Sequence, residues 1–335
     1  MFPTKLIEKF WASVDKGTSG ALKPMQTRRT GKALIDAKRD EMLMIAQTEN
    51  DVADIKSGKK KYTEDRKLIT VESACGVPLI ECKEDKVEPY INFELLEKQK
   101  VTRKYAQDIQ EEIHLTKAIL MAEHDLLNSE YESNEEPIDQ DWFTRWRDSA
   151  EKVSNEDLQS LWAKALAGEV ATPGSYSLRT LEFLKNLSQA EAREISKLAP
   201  FVINKKVFKL PDLENKGLEF DYLLEMEDLG ILSGVEVGGL SWSLGTYAKE
   251  SYVQNMQYGG KILLIEKDEP IDLQLSVYKV TKLGCEILKL GIFPFDYDYF
   301  EQVGLQVKKQ QYKVRLANML GTYNNQIHFD NEHEL

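Results

Sequence analysis

The feature that most constrains this fold is a long stretch without glycine or proline, from about Asn92 to Glu132. Because these two residue types disfavour helices most strongly, their absence predicts one continuous helix. An interrupted apolar stripe follows the stretch and consists of Ile109, Ile113, Ala118, Ile119, Ala122 and Leu126. A helix of this length buries such a stripe against another long helix or a second subunit, so the sequence predicts a helical assembly.

Two more helices are predicted before this stretch. Apolar residues at helical spacing in residues 1–15 predict an amphipathic helix that docks on the protein's own core or on a second copy, with a membrane surface as the alternative. A long helix from Pro24 to about Ile55 follows, since proline is favoured in a first helical turn. The beginning of this helix is basic and contains Arg28, Arg29 and Lys32.

The segment between the two long helices differs from both in composition. Residues 56–61 form a charged linker, and residues 62–91 contain β-branched side chains around Gly76 and Pro78. Two short strands and a loop packed between helices both fit this pattern. We therefore predict a small irregular or β insertion near residues 62–91.

A helical module is predicted in residues 138–200. Apolar residues at helical spacing predict its first long helix, with Ser154 and Asp157 as a capping box at the beginning. Gly168 is predicted to end this helix, because glycine is the usual residue after a helical C-terminus.

The chain is predicted to turn at Pro173 and Gly174, and a second helix follows the turn. A third helix is predicted to begin at the capping box formed by Ser188 and Glu191. Every strong local signal in this module therefore specifies structure.

Four residues of the module are singled out as structural or interaction residues. Glu169 and Arg179 flank the Pro-Gly turn, and a bidentate ion pair between them would fix the angle between the helices. Trp146 and Trp162 are large aromatic residues on the predicted helical faces. The polar residues here are predicted to hold a corner of the fold.

Residues 201–335 are predicted to form a winged-helix-like α+β domain. A helix that ends at Gly230, two strands joined by a polar connection at Pro270, and a further helix follow one another in the order of that fold. Like charge would oppose the insertion of the candidate recognition helix into DNA, so a protein-binding use is favoured. The acidic residues of this helix are Asp221, Glu225, Glu227 and Asp228.

These patterns together predict an α+β fold that is mainly α. We expect a long-helix N-terminal region in residues 1–137, the helical module in residues 138–200 and the winged-helix-like domain in residues 201–335. A chain of 335 residues is long enough for two or three such domains.

The net charge of −12 is unevenly distributed along the chain. Residues 1–61 hold 13 basic and 8 acidic side chains, whereas acidic side chains outnumber basic ones in the rest of the sequence. Because duplex binding needs clustered positive charge, a broad DNA footprint is not expected. The candidate nucleic-acid-binding residues are Arg28, Arg29 and Lys32 near the N-terminus and Lys308, Lys309, Lys313 and Arg315 near the C-terminus.

The sequence contains no recognisable catalytic or metal motif. His114 and His124 do not share a face of their helix, and Cys75 and Cys82 lack the spacing of a zinc site. Glycine and lysine do not occur at the spacing of a phosphate-binding loop. We predict no metal and no cofactor, and a non-enzymatic role is favoured.

One nuclease-like pattern is present near the predicted insertion. Glu81 and Lys83 follow an apolar run, and Asp65 precedes them at a distance found in PD-ExK-type nucleases, where carboxylates hold Mg²⁺ and lysine steadies the developing charge. With 30% charged residues in the chain, this pattern also arises by chance.

The predicted compartment is the cytoplasm. The three cysteines form no disulfide framework, and the N-terminus lacks the apolar core of a signal peptide. No apolar run approaches the roughly 20 residues that a membrane-spanning helix needs.

The module sequence DQDWFTRWRDSAEKVSNEDLQSLWAKALAGEVATPGSYSLRTLEFLKNLSQAEA, residues 139–192, resembles the bacterial domain of unknown function (DUF) family 2806. The likeness covers much of residues 20–290. The order and spacing of the elements more distantly resemble the Abi-alpha group of abortive-infection-associated proteins. These resemblances imply a bacterial, cytosolic, mostly helical protein with a role in defence against phage.

Three classes of function compete. The favoured one is an interaction protein that forms a homo-oligomer or grips another protein component or a phage protein. The second is a nucleic-acid-binding protein that uses the basic residues at both ends of the chain. The third is a Mg²⁺-dependent nuclease around Asp65, Glu81 and Lys83.

Overall fold

The computed structural model describes residues 4–18, 34–62, 68–70, 93–128, 136–323 and 326–335. About half of these residues are helical, and the strands form antiparallel sheets, so the predicted α+β, mainly α class is confirmed. The chain divides into two compact units, Met1–Tyr176 and Ser177–Leu335. The finer division at residues 137 and 200 stays a prediction.

The first unit consists of helices and one small hairpin. The hairpin strands β1 (Lys60–Tyr62) and β2 (Leu68–Thr70) pair in antiparallel fashion, with β1 mostly in the predicted linker and β2 in the predicted insertion. The helices, labelled as they occur in the described residues, are α1 (Thr4–Gly17), α2 (Leu34–Lys56), α3 (Phe93–Asn128), α4 (Gln140–Ala150) and α5 (Glu156–Ala171).

The long predicted helix exists as α3, and its apolar stripe forms the centre of the first unit. The stripe is buried from Ile113 to Leu126, where α3 packs extensively against α5. Towards its N-terminus α3 packs against α2, in an apolar cluster formed by Val52, Ile55, Ala106 and Ile113. Burial of apolar area of this kind is what stabilises a helix that would be marginal alone.

Helix α1 docks inside the first unit through its apolar face. Leu6, Phe10 and Val14 are almost fully buried. The indole Nε1 of Trp11 donates a 2.7 Å hydrogen bond to Oε1 of Glu123 on α3, and Lys9 Nζ donates to the backbone oxygen of Val170 at 2.7 Å. These two long-range contacts fix α1 against both α3 and α5.

The second unit combines short helices with two antiparallel sheets. Its helices are α6 (Leu178–Asn186), α7 (Gln189–Leu198), α8 (Phe220–Asp228), α9 (Lys282–Leu288) and α10 (Tyr297–Lys308). Its strands are β3 (Lys206–Phe208), β4 (Leu232–Ser233), β5 (Leu240–Leu244), β6 (Tyr252–Tyr258), β7 (Lys261–Lys267), β8 (Leu273–Val280), β9 (Lys313–Tyr323) and β10 (Gln326–Glu334).

The two sheets of the second unit have different strand orders. One sheet has the order β10-β9-β7-β6. In the other sheet, β8 is central, with β3 on one edge and β4 and β5 following one another along the opposite edge. The strands β7 and β8, which the sequence analysis treated as a pair, therefore belong to different sheets. Their apolar alternation indicates strands but not their partners.

Several predicted helix ends in the second unit are confirmed. The capping box of Ser188 and Glu191 begins α7, with both of its hydrogen bonds formed. Gly230 has a φ of +74° just after α8, the left-handed conformation that ends helices and favours glycine.

Candidate functional site

The corner that follows α5 is held by a buried carboxylate. Glu169 is only 2% exposed, and its Oε1 accepts a 2.6 Å hydrogen bond from the backbone N–H of Gly174. Its Oε2 accepts a 3.0 Å bond from the N–H of Tyr176. Charge-assisted hydrogen bonds of this kind are strong, so Glu169 closes the turn by binding backbone. The proposed partner Arg179 lies in the other unit, and that ion pair stays a prediction.

The two singled-out tryptophans connect α4 with α5 inside the first unit. Trp146 and Trp162 are almost fully buried, and the indole Nε1 of Trp146 donates to the backbone oxygen of Trp162 at 2.9 Å. Trp142 makes the corresponding bond to the backbone oxygen of Tyr176 at 2.8 Å. The aromatic residues of α4 thus hold α5 and the corner after it.

Two local predictions for α5 are wrong. The helix is capped by Asn155, whose side chain accepts from the N–H of Leu158, and not by Ser154. The helix also continues past Gly168 to Ala171. Gly168 is required for packing instead: a Cβ there would lie 2.6 Å from the ring of Tyr176.

An open groove of about 930 Å³ lies beside the C-terminal end of α2 and the first half of α3. Buried Ile55 and Ala106 contribute apolar surface to it. The side chains around Ile55 and Ala106 include both basic and acidic groups. The lining also includes Lys56, Ser57, Gly58, Thr102, Arg103, Gln107, Gln110, Glu111, His114, Glu151 and Lys152.

Hydrogen bonds between side chains order the polar lining of this groove. Lys56 Nζ donates to Oε1 of Gln110, and Nε2 of Gln107 donates to Oε1 of Glu111 at 2.8 Å. His114 Nδ1 donates to the backbone oxygen of Glu151 at 3.0 Å. Because a carbonyl can only accept, this bond places the proton of a neutral His114 on Nδ1.

Glu151 is the C-cap residue of α4 and the groove's most perturbed acid. Burial raises the pKa of its carboxyl, and the nearby negative charges of Glu111 and Asp148 add to this, whereas Lys152 opposes it. The helix dipole also disfavours negative charge at a C-terminus. The ionised form of Glu151 is therefore destabilised in the folded protein.

Towards its N-terminus, up to Tyr105, α3 exposes every side chain whose burial is described. Glu97 and every residue from 100 to 105 are exposed to solvent. Val101 is 51% exposed and Tyr105 is 58% exposed. Because residues four apart lie on one helical face, these two form an exposed apolar pair. We call this segment, residues 97–105, the exposed α3 segment.

Sequence reasoning did not single out the exposed α3 segment. Its signal is the pair Val101 and Tyr105 within an otherwise polar run. That pair was not distinguished from the buried stripe further along the same helix. Periodicity shows which residues share a face, and exposure depends on what packs there.

Three of the four cations near the C-terminus that were candidates for nucleic-acid binding lie close to carboxylates. Lys308 lies 3.5 Å from Glu334, and Lys313 lies 3.4 Å from Asp268. Arg315 pairs with both Glu266 and Glu332, while Lys309 contacts the amide oxygen of Gln306 at 3.5 Å. Paired cations release fewer counterions from nucleic acid, which weakens their case as a phosphate-binding surface.

The remaining sequence candidates fall outside the described residues. These are the basic residues Arg28, Arg29 and Lys32 and the nuclease candidates Asp65, Glu81 and Lys83. Within the residues that the structure does describe, no group of three or more His, Cys, Asp or Glu side chains is arranged to hold a metal ion. None of the described helices has the length and apolarity to cross a membrane.

Comparison with known proteins assigns part of this chain to a family. Residues 98–210 match the family model described as Protein of unknown function (DUF2806), so the resemblance to that family is confirmed for this segment. The segment begins in the exposed α3 segment and includes Trp146, Trp162 and Glu169. No curated protein and no solved structure is detectably similar to the chain. The relation to the Abi-alpha group stays a prediction.

Proposed function

We propose that this chain, which contains a DUF2806 segment, is a non-enzymatic protein that assembles with a second copy of itself. The observation that supports this proposal is the exposed α3 segment. A helical segment whose described side chains, Glu97 and residues 100–105, are all exposed gains little packing from its own unit, and helices in water depend on packing of an apolar face. A partner that covers Val101 and Tyr105 would supply that packing.

The chemistry of this surface favours a second copy as the partner. The exposed α3 segment carries Lys100, Arg103 and Lys104 against one acid, Glu97. The chain as a whole has a net charge of −12, so a second copy is opposite in net charge to this basic segment. Such complementarity speeds association and fixes its register more than it adds affinity.

The groove beside the segment adds apolar and polar contact area to the proposed interface. Its apolar residues Ile55 and Ala106 lie within a rim of side chains that form hydrogen bonds. An apolar centre with a polar rim is the usual anatomy of a protein interface. We infer that the groove receives side chains from the partner copy.

Light scattering coupled to size-exclusion chromatography tests this proposal. We expect the full chain to form a stable oligomer at micromolar concentration, and the double substitution Val101→Ser and Tyr105→Ser to shift it towards monomer. The double substitution Val237→Ser and Tyr247→Ser is the matched control, because these residues are 73% and 74% exposed and lie in the second unit. A monomeric full chain, or equal effects of both variants, contradicts the proposal.

We also propose that the sheet centred on β8 belongs to a winged-helix arrangement that binds protein. The order β3-β8-β5, with α8 between the first and third of these strands in the sequence, supports this. The remaining strands β6 and β7 then form an enlarged wing. We propose as part of the same hypothesis that such an assembly acts in anti-phage defence, which the resemblance to abortive-infection-associated proteins supports.

A further inference from the structure

Four lysines of the second unit come together from three separate segments. Lys206 on β3 lies directly opposite Lys279 on β8 in the antiparallel register. Lys205 precedes Lys206 in the adjoining turn, and Lys289 follows α9 as its C-cap residue. We call these four residues the lysine patch. Three of them, Lys205, Lys279 and Lys289, are exposed.

The charges of these lysines act on one another and on a shared neighbour. Burial lowers the pKa of Lys206, and the positive charges of Lys205 and Lys279 lower it further. The half-buried thiol of Cys285 has a pKa raised by burial, while Lys205, Lys289 and Lys206 all act to lower it. Backbone contacts agree with this: the N–H of Val280, next to Lys279, donates to the oxygen of Lys205 at 3.0 Å, and the N–H of Lys289 donates to the oxygen of Cys285 at 3.3 Å.

The lysine patch lacks acidic partners in the part of the chain that the structure describes. None of its four ammonium groups lies within 4.0 Å of a described carboxylate. Glu286 is the acidic residue next to Cys285 in the sequence. One of its carboxylate oxygens accepts hydrogen bonds from the hydroxyl groups of Ser177 and Thr180. Its other oxygen lies 3.7 Å from Lys282, which is not a patch member. This arrangement differs from the C-terminal cations, which are paired.

Two features of the lysine patch are unfavourable for folding when no ligand is bound. Like charges directly opposite each other in a sheet destabilise it, as Lys206 and Lys279 are here. Asn204 and Lys205 form a two-residue turn with φ values of 48° and 61°. Glycine suits the second position of such a turn far better than lysine. An anion bound across the patch would offset the repulsion, and it would account for a lysine at this position.

We propose that the lysine patch binds the phosphate backbone of single-stranded nucleic acid. Ammonium groups on an open surface match a chain of phosphates, because each one neutralises a separate phosphate. A flexible single strand fits better than a duplex, since the neighbouring helix α8 is acidic and would oppose insertion into a DNA groove. This site belongs to the second unit, whereas the exposed α3 segment belongs to the first, and it does not depend on the proposed self-assembly.

Fluorescence anisotropy with a labelled 20-nucleotide single strand tests this site on the full chain. With four phosphate contacts and roughly 0.7 counterions released per contact, raising the salt from about 50 to 200 mM should weaken binding about 50-fold. The variant Lys205→Gln, Lys279→Gln, Lys289→Gln should bind more weakly, and the slope of log K against log salt should fall from about −3 to about −1. Lys206 is left in place because its Nζ packs 4.2 Å from the ring of Trp242.

A control variant with the same net charge distinguishes an effect of the lysine patch on binding from an effect of net charge. Lys185, Lys197 and Lys282 are exposed lysines of the same unit that pair with Glu182, Glu194 and Glu286. The triple lysine-to-glutamine variant at these positions should retain wild-type binding and salt slope. Equal loss in both triple variants, or no binding by the wild-type protein at about 50 mM salt, overturns the proposal.

Two further experiments identify which kind of molecule supplies the phosphate groups that the lysine patch binds. Binding to the same sequence as a duplex but not as a single strand contradicts the proposal, as does binding only to phosphatidylserine vesicles. Acetylation of lysines read by mass spectrometry gives an independent readout on unmutated protein. Bound single strand should protect Lys205, Lys279 and Lys289 but not Lys185, and equal protection of all four overturns the assignment.

Discussion

At the scale of single residues, Glu169 shows how a buried charge can be used for structure alone. Its carboxylate is almost fully buried, yet both oxygens accept backbone N–H groups of the turn at Gly174 and Tyr176. A buried carboxylate is tolerated when hydrogen bonds replace the water that it loses. The same contact explains why the chain can turn sharply directly after a long helix.

Replacement of Glu169 should therefore reduce stability in proportion to the acceptors lost. Glu169→Ala leaves two N–H groups without their acceptor, and we expect the free energy of unfolding to fall by about 3 kcal/mol. Glu169→Gln keeps one acceptor oxygen and should cost less than half as much. Urea denaturation followed by far-UV circular dichroism measures both. Equal losses in the two variants would contradict this proportionality, because they would show that one remaining acceptor oxygen on a side chain of the same shape gives no stabilisation.

Lys205 has a backbone conformation that is poorly suited to its side chain, as Gln311 also has among the described residues. A φ of 61° is costly for a residue with a Cβ, by roughly 1–2 kcal/mol, and glycine avoids this cost. Lys205→Gly should therefore raise the free energy of unfolding by about 1 kcal/mol, measured in urea. Glycine also loses more backbone entropy on folding than lysine does, which lowers stability. A measured increase in the free energy of unfolding would therefore show that relief of the backbone strain at Lys205 outweighs this loss.

Lys205→Ala provides the control for that substitution. Alanine removes the charge but keeps the Cβ, so the strain at a φ of 61° should remain. Charge removal also relieves repulsion with Lys206, which predicts a smaller gain than glycine gives. If alanine stabilises as much as glycine does, repulsion is the main cost at this turn and backbone strain is not.

At the scale of elements, the sequence predicted the positions of helices better than it predicted where helices end or which strands pair. The long helix α3 follows from the absence of glycine and proline, but the cap of α5 was placed one residue early. Ser154 and Asn155 are both good caps, and only the backbone direction distinguishes them. Gly168 looks like a helix end in the sequence, whereas its role is to make room for Tyr176.

The parts of the candidate sites that escaped prediction depend on long-range contacts. Lys206 and Lys279 are 73 positions apart, and they meet only because β3 and β8 pair in one register. Apart from its hairpin neighbour β6, β7 pairs with the more distant strand β9, and β8 pairs with β3, β4 and β5, which also lie further away in the sequence. Local alternation predicts a strand but carries no information about which strand lies beside it.

The ends of α4 and α5 give a pH-dependent prediction. Burial raises the pKa of Glu151 at the C-terminal end of α4, so its ionisation lowers the free energy of unfolding. This decrease in the free energy of unfolding is absent at pH values below about 4.3, the pKa of a glutamate carboxyl in the unfolded chain. It is complete at pH values above the raised pKa of Glu151 in the folded protein. Glu151→Gln should therefore stabilise the protein at pH 7 by about 0.5 kcal/mol and have almost no effect at about pH 3.5.

Glu156 is the matched control for Glu151. It lies in the first turn of α5, where the helix dipole favours a negative charge. Glu156→Gln should therefore destabilise the protein at neutral pH by a similar amount, again measured by urea denaturation. Changes of the same sign in the two variants would show that the helix dipole does not dominate at these positions.

At the scale of the whole molecule, the two proposed activities belong to different compact units. The exposed α3 segment lies in Met1–Tyr176, and the lysine patch lies in Ser177–Leu335. The second unit has its own buried core, in which Tyr299 is hydrogen-bonded through its hydroxyl to the backbone of Phe208. A segment with its own core and complete sheets has what a domain needs to fold alone.

We therefore expect a protein of residues 177–335 to fold independently and to separate the two activities. It should unfold in one cooperative transition, bind labelled single strand with the salt slope of the full chain, and remain monomeric in light scattering because it lacks α3. Trp242 is the only tryptophan in this segment of the sequence, so its fluorescence reports unfolding directly. A folded fragment that oligomerises would move the assembly surface to the second unit, and a folded fragment that binds no nucleic acid would mean that the first unit contributes to that binding.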